Sequence, residues 1–199
     1  MKKAESVNLT YDEALKLLRH HGDGSVWIGH CIAVSRLAAR YADIFSVKYD
    51  LDKGFLKTAA LLHDIGRYKT HDPILHGLEG YRLLTQLGHH REAFVCASHI
   101  LCGLEKDEAV QYGFPEQDFM PKTLEERLIP VCDCLVEIDR PTTLAKRLIS
   151  IKRRYHWSDH FLLRIEKAAE RVRSFIEDAD RELGISMEKI AADTLATRG

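Results

Sequence analysis

Apolar residues in this chain recur at three- and four-residue spacing, and no stretch alternates convincingly at the two-residue period of a strand. That periodicity confines the chain to a helical fold. Thr10 with Glu13 makes a capping box ahead of Ala14, Leu15, Leu17 and Leu18, and Gly22 and Gly24 end that helix. Ser25 is expected to cap a second helix to about Phe45, with Ala33, Val34, Leu37, Ala38 and Tyr41 on one stripe. Asp50 or Asp52 opens a third through Leu56, Ala59 and Leu62, which stops at Gly66. Arg67 to His76 contains Pro73 and reads as a loop. Helices follow at about Leu78–Leu87, Arg91–Cys102 and Lys106–Tyr112. Gly113 to Lys122 holds two prolines and reads as a loop. Thr123 with Glu126 is a second capping box, opening a helix to about Ile138 with Pro130 inside it. Thr143–Arg154, a long helix capped by Ser158 to about Leu183, and a tail helix from near Ser186 complete the chain. Glycines and prolines fall mostly between helices, so no domain boundary stands out. The expected fold class is all-α, with residues 1–155 as one domain and 156–199 as a helical extension packed on it.

Composition narrows the setting. A formal net charge of -1 sets up no strong field toward nucleic acid or an anionic membrane. No apolar run is long enough to span a bilayer, and the polar start Met1 to Asn8 does not read as a signal peptide. Five cysteines are an odd number in a chain of 199 residues, which argues for a reducing cytoplasm and against a disulfide framework. Eleven histidines are many. His20–His21 and His89–His90 lie near helix ends, where a surface position accounts for them.

Four other polar residues sit where the helical pattern expects core. His30 falls on the apolar stripe of its helix. His63 and Asp64 follow Ala59-Ala60-Leu61-Leu62 and precede Ile65. Asp133 shares a face with Ile129 and Val136. A buried carboxylate without a partner is strongly unfavourable, so Asp64 and Asp133 need cations, donors or a metal. Two carboxylates with two imidazoles suit a divalent first-row ion. Adjacent residues on a helix diverge by about 100°. His63 and Asp64 can converge if the helix ends there and Gly66 lets the backbone turn. Each residue also has a plainer reading: His30 as a satisfied core histidine, Asp133 as the partner of Arg127 or Arg140. Cys132 and Cys134, spaced i and i+2, point about 200° apart and read as small packing residues.

The order His30, His63-Asp64, Asp133 resembles the H…HD…D signature of the HD-domain (HDIG-type) metal-dependent phosphohydrolases. Ala59-Ala60-Leu61-Leu62-His63-Asp64-Ile65-Gly66-Arg67 is similar to that family's central element, with arginine where lysine is more usual. His76-Gly77-Leu78-Glu79-Gly80 resembles its HGxxG element, and His99 falls where many members carry another histidine. The resemblance covers about Trp27 to Arg140 and implies an HD-domain helical bundle. It implies metal ligands His30, His63, Asp64 and Asp133, joined in a dinuclear site by His76 and His99 with Asp64 bridging. The plainer alternatives are a loop position for His76 and, for His99, a core position or a Cys96-x-x-His99-x-x-Cys102 thiolate site.

The implied reaction is hydrolysis of a phosphate ester or anhydride of a nucleotide or other small phosphorylated molecule. One or two divalent ions of iron, manganese, zinc, nickel or cobalt would activate the water. Asp64 would orient the nucleophile, Arg67 would act on the phosphoryl group, and Arg67 and Lys69 would contact phosphate, with His71 on the same loop. Glu79 reads as an exposed helix charge, as a proton donor or as a partner for a ligand histidine. Two other functions fit the same letters: a di-iron oxygenase, and a non-catalytic nucleotide-binding regulatory module. A homo-oligomer is compatible with either.

Overall fold

The computed structural model describes residues 9–156 and 158–196. Met1 to Asn8, read above as lacking a signal peptide, lie outside the described residues. Ten α-helices are described: α1 Tyr11–Gly22, α2 Trp27–Phe45, α3 Lys53–Leu62, α4 Leu75–Gln86, α5 His90–Ser98, α6 Lys106–Gln111, α7 Leu124–Cys134, α8 Leu144–Arg154, α9 Asp159–Leu183 and α10 Met187–Ala196. The fold is mostly helical, as the periodicity requires.

The caps set most boundaries. Thr10 and Glu13, and Thr123 and Glu126, close reciprocal capping boxes on α1 and α7. Asp52 accepts from the Phe55 amide, Thr143 from Lys146 and Ser158 from Phe161. Ser25 does not cap α2: Val26 occupies the cap position and makes no side-chain cap bond.

Three boundaries depart from the sequence expectation. Ile65–Tyr68 forms a 3-10 turn, and α4 begins at Leu75, so His76 lies inside a helix. The trigger is Asp72, whose carboxylate accepts from the Ile74 and Leu75 amides at 2.8 Å each. The helix from His90 stops at Ser98, because Leu101 and Cys102 take left-handed φ of 52° and 55°. Finally, α7 ends at Cys134 rather than near Ile138. Val136–Glu137 (β1) and Arg140–Pro141 (β2) pair antiparallel, with Val136 opposite Pro141 and Glu137 opposite Arg140. Strands of two residues are too short to leave a period-two signal.

Helices α2, α3, α5 and α7 surround the main core with Leu37, Leu56, Val95 and Ile129. A smaller cluster, including Leu18, Trp27, Leu62 and Leu84, seals the side toward α1. The C-terminal helices join the main core. Phe161, Ile165, Ala168, Val172, Ile176 and Ala179 form the buried stripe of α9, at the spacing an amphipathic helix needs. Tyr41, fully buried on α2, donates its hydroxyl to the Met187 carbonyl at 2.7 Å and ties α10 down. Tyr41→Phe removes that bond and should cost about 0.5–1.5 kcal/mol in chemical denaturation. An unchanged midpoint would mean the bond contributes nothing.

Candidate metal centre

α3 ends at Leu62, and the chain leaves helical geometry at Asp64, whose φ and ψ are -102° and 11°. This break brings the adjacent His63 and Asp64 side chains to one place: His63 Nε2 lies 3.8 Å from Asp64 Oδ2. Gly66 serves close approach here and not an unusual backbone angle. A Cβ on it would fall 1.9 Å from the His76 carbonyl oxygen and 2.4 Å from the Gly80 amide nitrogen. Gly77 does the same between α4 and α5, where a Cβ would sit 2.6 Å from the Cys96 carbonyl oxygen. These contacts carry His76 and His99 inward from α4 and α5, to 3.3 Å between their Nε2 atoms.

Asp64 is buried and faces histidines with both oxygens. Its Oδ1 is 2.8 Å from His76 Nε2 and 3.5 Å from His99 Nε2. Its Oδ2 is 4.0 Å from His30 Nε2. His30 Nε2 is also 2.9 Å from Oδ1 of Asp133, which arrives from the last turn of α7. His30, His63 and Asp133, and separately His63, Asp64 and His99, each present donor atoms within 4.8 Å of one another. His76 joins through Asp64.

All four histidines are oriented the same way. Each approaches a backbone carbonyl with Nδ1: His30 that of Ile138 (2.9 Å), His63 that of Ala60 (2.7 Å), His76 that of Asp72 (2.7 Å) and His99 that of Val95 (3.2 Å). A carbonyl only accepts, so the proton sits on Nδ1 and each Nε2 turns a lone pair inward. His30 reaches its carbonyl because Ile138, in the β1–β2 turn, holds φ at 60°.

Burial pushes the His63 imidazole down to about 4 and lowers that of His76, so both are neutral at pH 7. Burial opposes the charge on Asp64, but the Arg67 guanidinium beside it holds its carboxyl well below the usual carboxylate range. Burial likewise works against the Asp133 charge, and the Arg147 guanidinium holds its carboxyl low. Four inward lone pairs and two carboxylates are a set of acceptors that needs a cation. His63 Nε2 is buried without any hydrogen-bond partner among the described residues, which marks where one is missing. Ligand atoms at about 2.0–2.2 Å from one ion lie about 2.8–3.6 Å apart at octahedral or tetrahedral angles. The observed separations, 2.8 to 4.0 Å, bracket that range.

The remaining candidates divide. Arg67 donates to Asp64 and keeps 26% of its side chain exposed at the mouth of the site. His71 lines a cavity with His30, Asp64 and Arg67. Lys69 instead pairs with Glu79 at 2.7 Å on the surface, and Glu79 also holds Arg82 at 3.0 Å. Glu79 is thus a partner for cations and not for a ligand histidine. Arg127 and Arg140, the plainer partners for Asp133, are not what it meets. The structure gives it Arg147, at 3.5 Å, a residue the sequence reading passed over. The thiolate alternative is not assembled. Cys96 donates to the Leu62 carbonyl at 3.3 Å, and the metal-competent groups contain no cysteine among the described residues. All five cysteines are free; Cys132 is buried, while Cys134 is half-buried and borders the cavity beside Asp133.

The class this defines is a helical domain whose buried histidines and aspartates form one cluster of acceptors that could hold a metal ion. The chain belongs to the HD-domain family, whose profile matches residues 27–137. That family is typified by metal-dependent phosphohydrolases. An uncharacterised protein of Methanocaldococcus jannaschii is 36% identical over 130 residues, covering 64% of this chain and 76% of its own length. A tRNA (cytidine(56)-2'-O)-methyltransferase of Picrophilus torridus is 27% identical over 183 residues, covering 92% of this chain and 50% of its own. The protein of that name in Thermoplasma volcanium is 28% identical over 192 residues, covering 95% and 53%. The chain thus spans about half the length of these two methyltransferases. No solved structure matches. Among the described residues, no helix is long and apolar enough to cross a membrane.

Proposed function

We propose that this HD domain is a metal-dependent phosphohydrolase acting on a nucleotide or another small phosphorylated molecule in a reducing cytoplasm. The observation that carries the reading is the inward cluster of Nε2 lone pairs around Asp64, oriented by four backbone carbonyls. His30, His63, Asp64 and Asp133 would hold one divalent ion. Asp64 Oδ1, His76 and His99 would hold a second. When bound, such an ion lowers the pKa of a coordinated water from about 15.7 toward roughly 7 and polarises a phosphoryl oxygen.

The chain's own groups supply the rest. Asp64, the residue between both sets, orients the nucleophile. Arg67 donates to Asp64 through Nε at the mouth of the site, and its planar fork would suit two phosphoryl oxygens. Lys69 enters the reading as an outer phosphate contact that must first leave Glu79. The methyltransferases among the relatives are named for acting on tRNA, which favours ribonucleotides in a first screen. The test is phosphate release from ribonucleoside 5'-, 3'- and 2',3'-cyclic phosphates and simple esters, with manganese, iron, cobalt, nickel and zinc each supplied alone. Release from at least one ester is expected; none under any ion would overturn the reading.

The six-residue cluster also favours a second reading, a di-iron oxygenase. Oxygen uptake without phosphate release would establish it in place of hydrolysis. The two-ion arrangement has its own test. His76→Ala and His99→Ala should each drop the metal content from about two ions to about one per chain. Unchanged stoichiometry in both would leave a mononuclear site.

A further inference from the structure

α8 and α9 lie beyond the matched residues 27–137, yet they complete the wall of the site. Arg147 and Arg154, both on α8, are seven residues apart and therefore share a face. Together with Arg67 they line two cavities at once. One is on the His30 and His71 side. The other is on the His76 and His99 side and runs back between α7, α8 and α9, where Ile100, Leu101, Pro130, Ile151, Phe161 and Ile165 give it apolar walls. Tyr155 and Phe161 meet there edge to face, ring centroids 4.8 Å apart, and both border the space.

The three arginines at this junction are paired with the carboxylates that surround it. Arg67 is held by Asp64, Arg147 by Asp133 at 3.5 Å and Glu137 at 3.7 Å, and Arg154 by Glu137 at 3.7 Å. Arg147 is 13% exposed, and its Nε is buried without a partner. If Asp64 and Asp133 held a divalent ion, Arg67 and Arg147 would share their counter-charge with it, at a place where Arg147 is 13% exposed. An uncompensated buried guanidinium is costly, so an anion is drawn to the junction.

We infer that Arg147 and Arg154 bind the phosphate of the substrate, and that the apolar chamber behind them takes a flat, weakly polar leaving group. On this basis the substrate class is a phosphate monoester of a ring-bearing group, rather than a compact sugar phosphate or a polyphosphate. The inference rests on the phosphohydrolase reading for the word substrate, but its binding claim stands apart from turnover.

Two non-hydrolysable probes separate head from tail: methylphosphonate and phenylphosphonate, titrated calorimetrically into manganese-loaded protein. Phenylphosphonate should bind about tenfold or more tightly than methylphosphonate, the range a filled apolar pocket gives. Phe161→Ala should reduce that preference to about threefold or less without weakening methylphosphonate. Arg147→Gln should weaken both probes about tenfold or more, as loss of a charge-assisted contact does. Arg154→Gln, at a side chain 51% exposed, is the control that cannot fail through misfolding, and should weaken both probes several-fold. Equal binding of the two phosphonates by the native protein, or both arginine variants binding as it does, would overturn the inference while leaving hydrolase activity intact. Phenylphosphonate preference in a chain that cleaves no ester would overturn the hydrolase reading instead.

Discussion

Asp64→Asn should leave a folded protein with no bound transition metal and a rate lowered by about a thousandfold or more. Asparagine keeps the shape of the side chain but offers one neutral oxygen where Asp64 turns two charged ones toward different histidines. The metal-free fold should survive, because Asp64 makes no contribution to the apolar core and the amide oxygen can still accept from Arg67. The matched measurement is elemental analysis beside activity and a melting curve. Full metal content with full activity would remove Asp64 from the centre. A melt lowered far below that of metal-free native protein would make Asp64 a structural residue.

The second large effect concerns a residue with no side chain. Gly66→Ala should cost about 3 kcal/mol, the upper end of overpacking, and scatter the metal ligands with it. The new Cβ would sit 1.9 Å from the His76 carbonyl oxygen and 2.4 Å from the Gly80 amide nitrogen. Both obstacles are backbone, so no rotamer change relieves them, and α4 must move by more than an ångström. His76 rides on that helix, so its Nε2 would leave the 2.8 Å contact with Asp64. Urea denaturation and metal stoichiometry should therefore fall together. A variant as stable as the native chain would show that α4 can shift freely, and that Gly66 does not position the site.

Much of this was legible beforehand. Helix existence followed from periodicity, and five side-chain caps lie where Thr, Asp and Ser precede apolar runs. The convergence of His30, His63, Asp64 and Asp133 was legible as polarity on apolar faces. His76 was less so, since Pro73 suggested a loop while the Asp72 carboxylate starts α4 just after it. The turn at Gly66 is present, but what requires glycine there is contact with α4, which no local pattern encodes. The β1–β2 turn that supplies the Ile138 carbonyl to His30 was read as the end of a helix. Arg147 and Arg154 lie on α8, outside the central motif. Their seven-residue spacing on a helix was the available signal.

The central claim is that the four histidines and two aspartates form a cation site. Its most direct test is elemental analysis of protein purified without added metal or chelator, beside His63→Ala prepared in the same way. The account predicts one to two equivalents of a first-row transition metal in the native chain and a clear loss in the variant. A native chain that carries no metal, and stays metal-free after incubation with manganese, iron, cobalt, nickel and zinc, would contradict it.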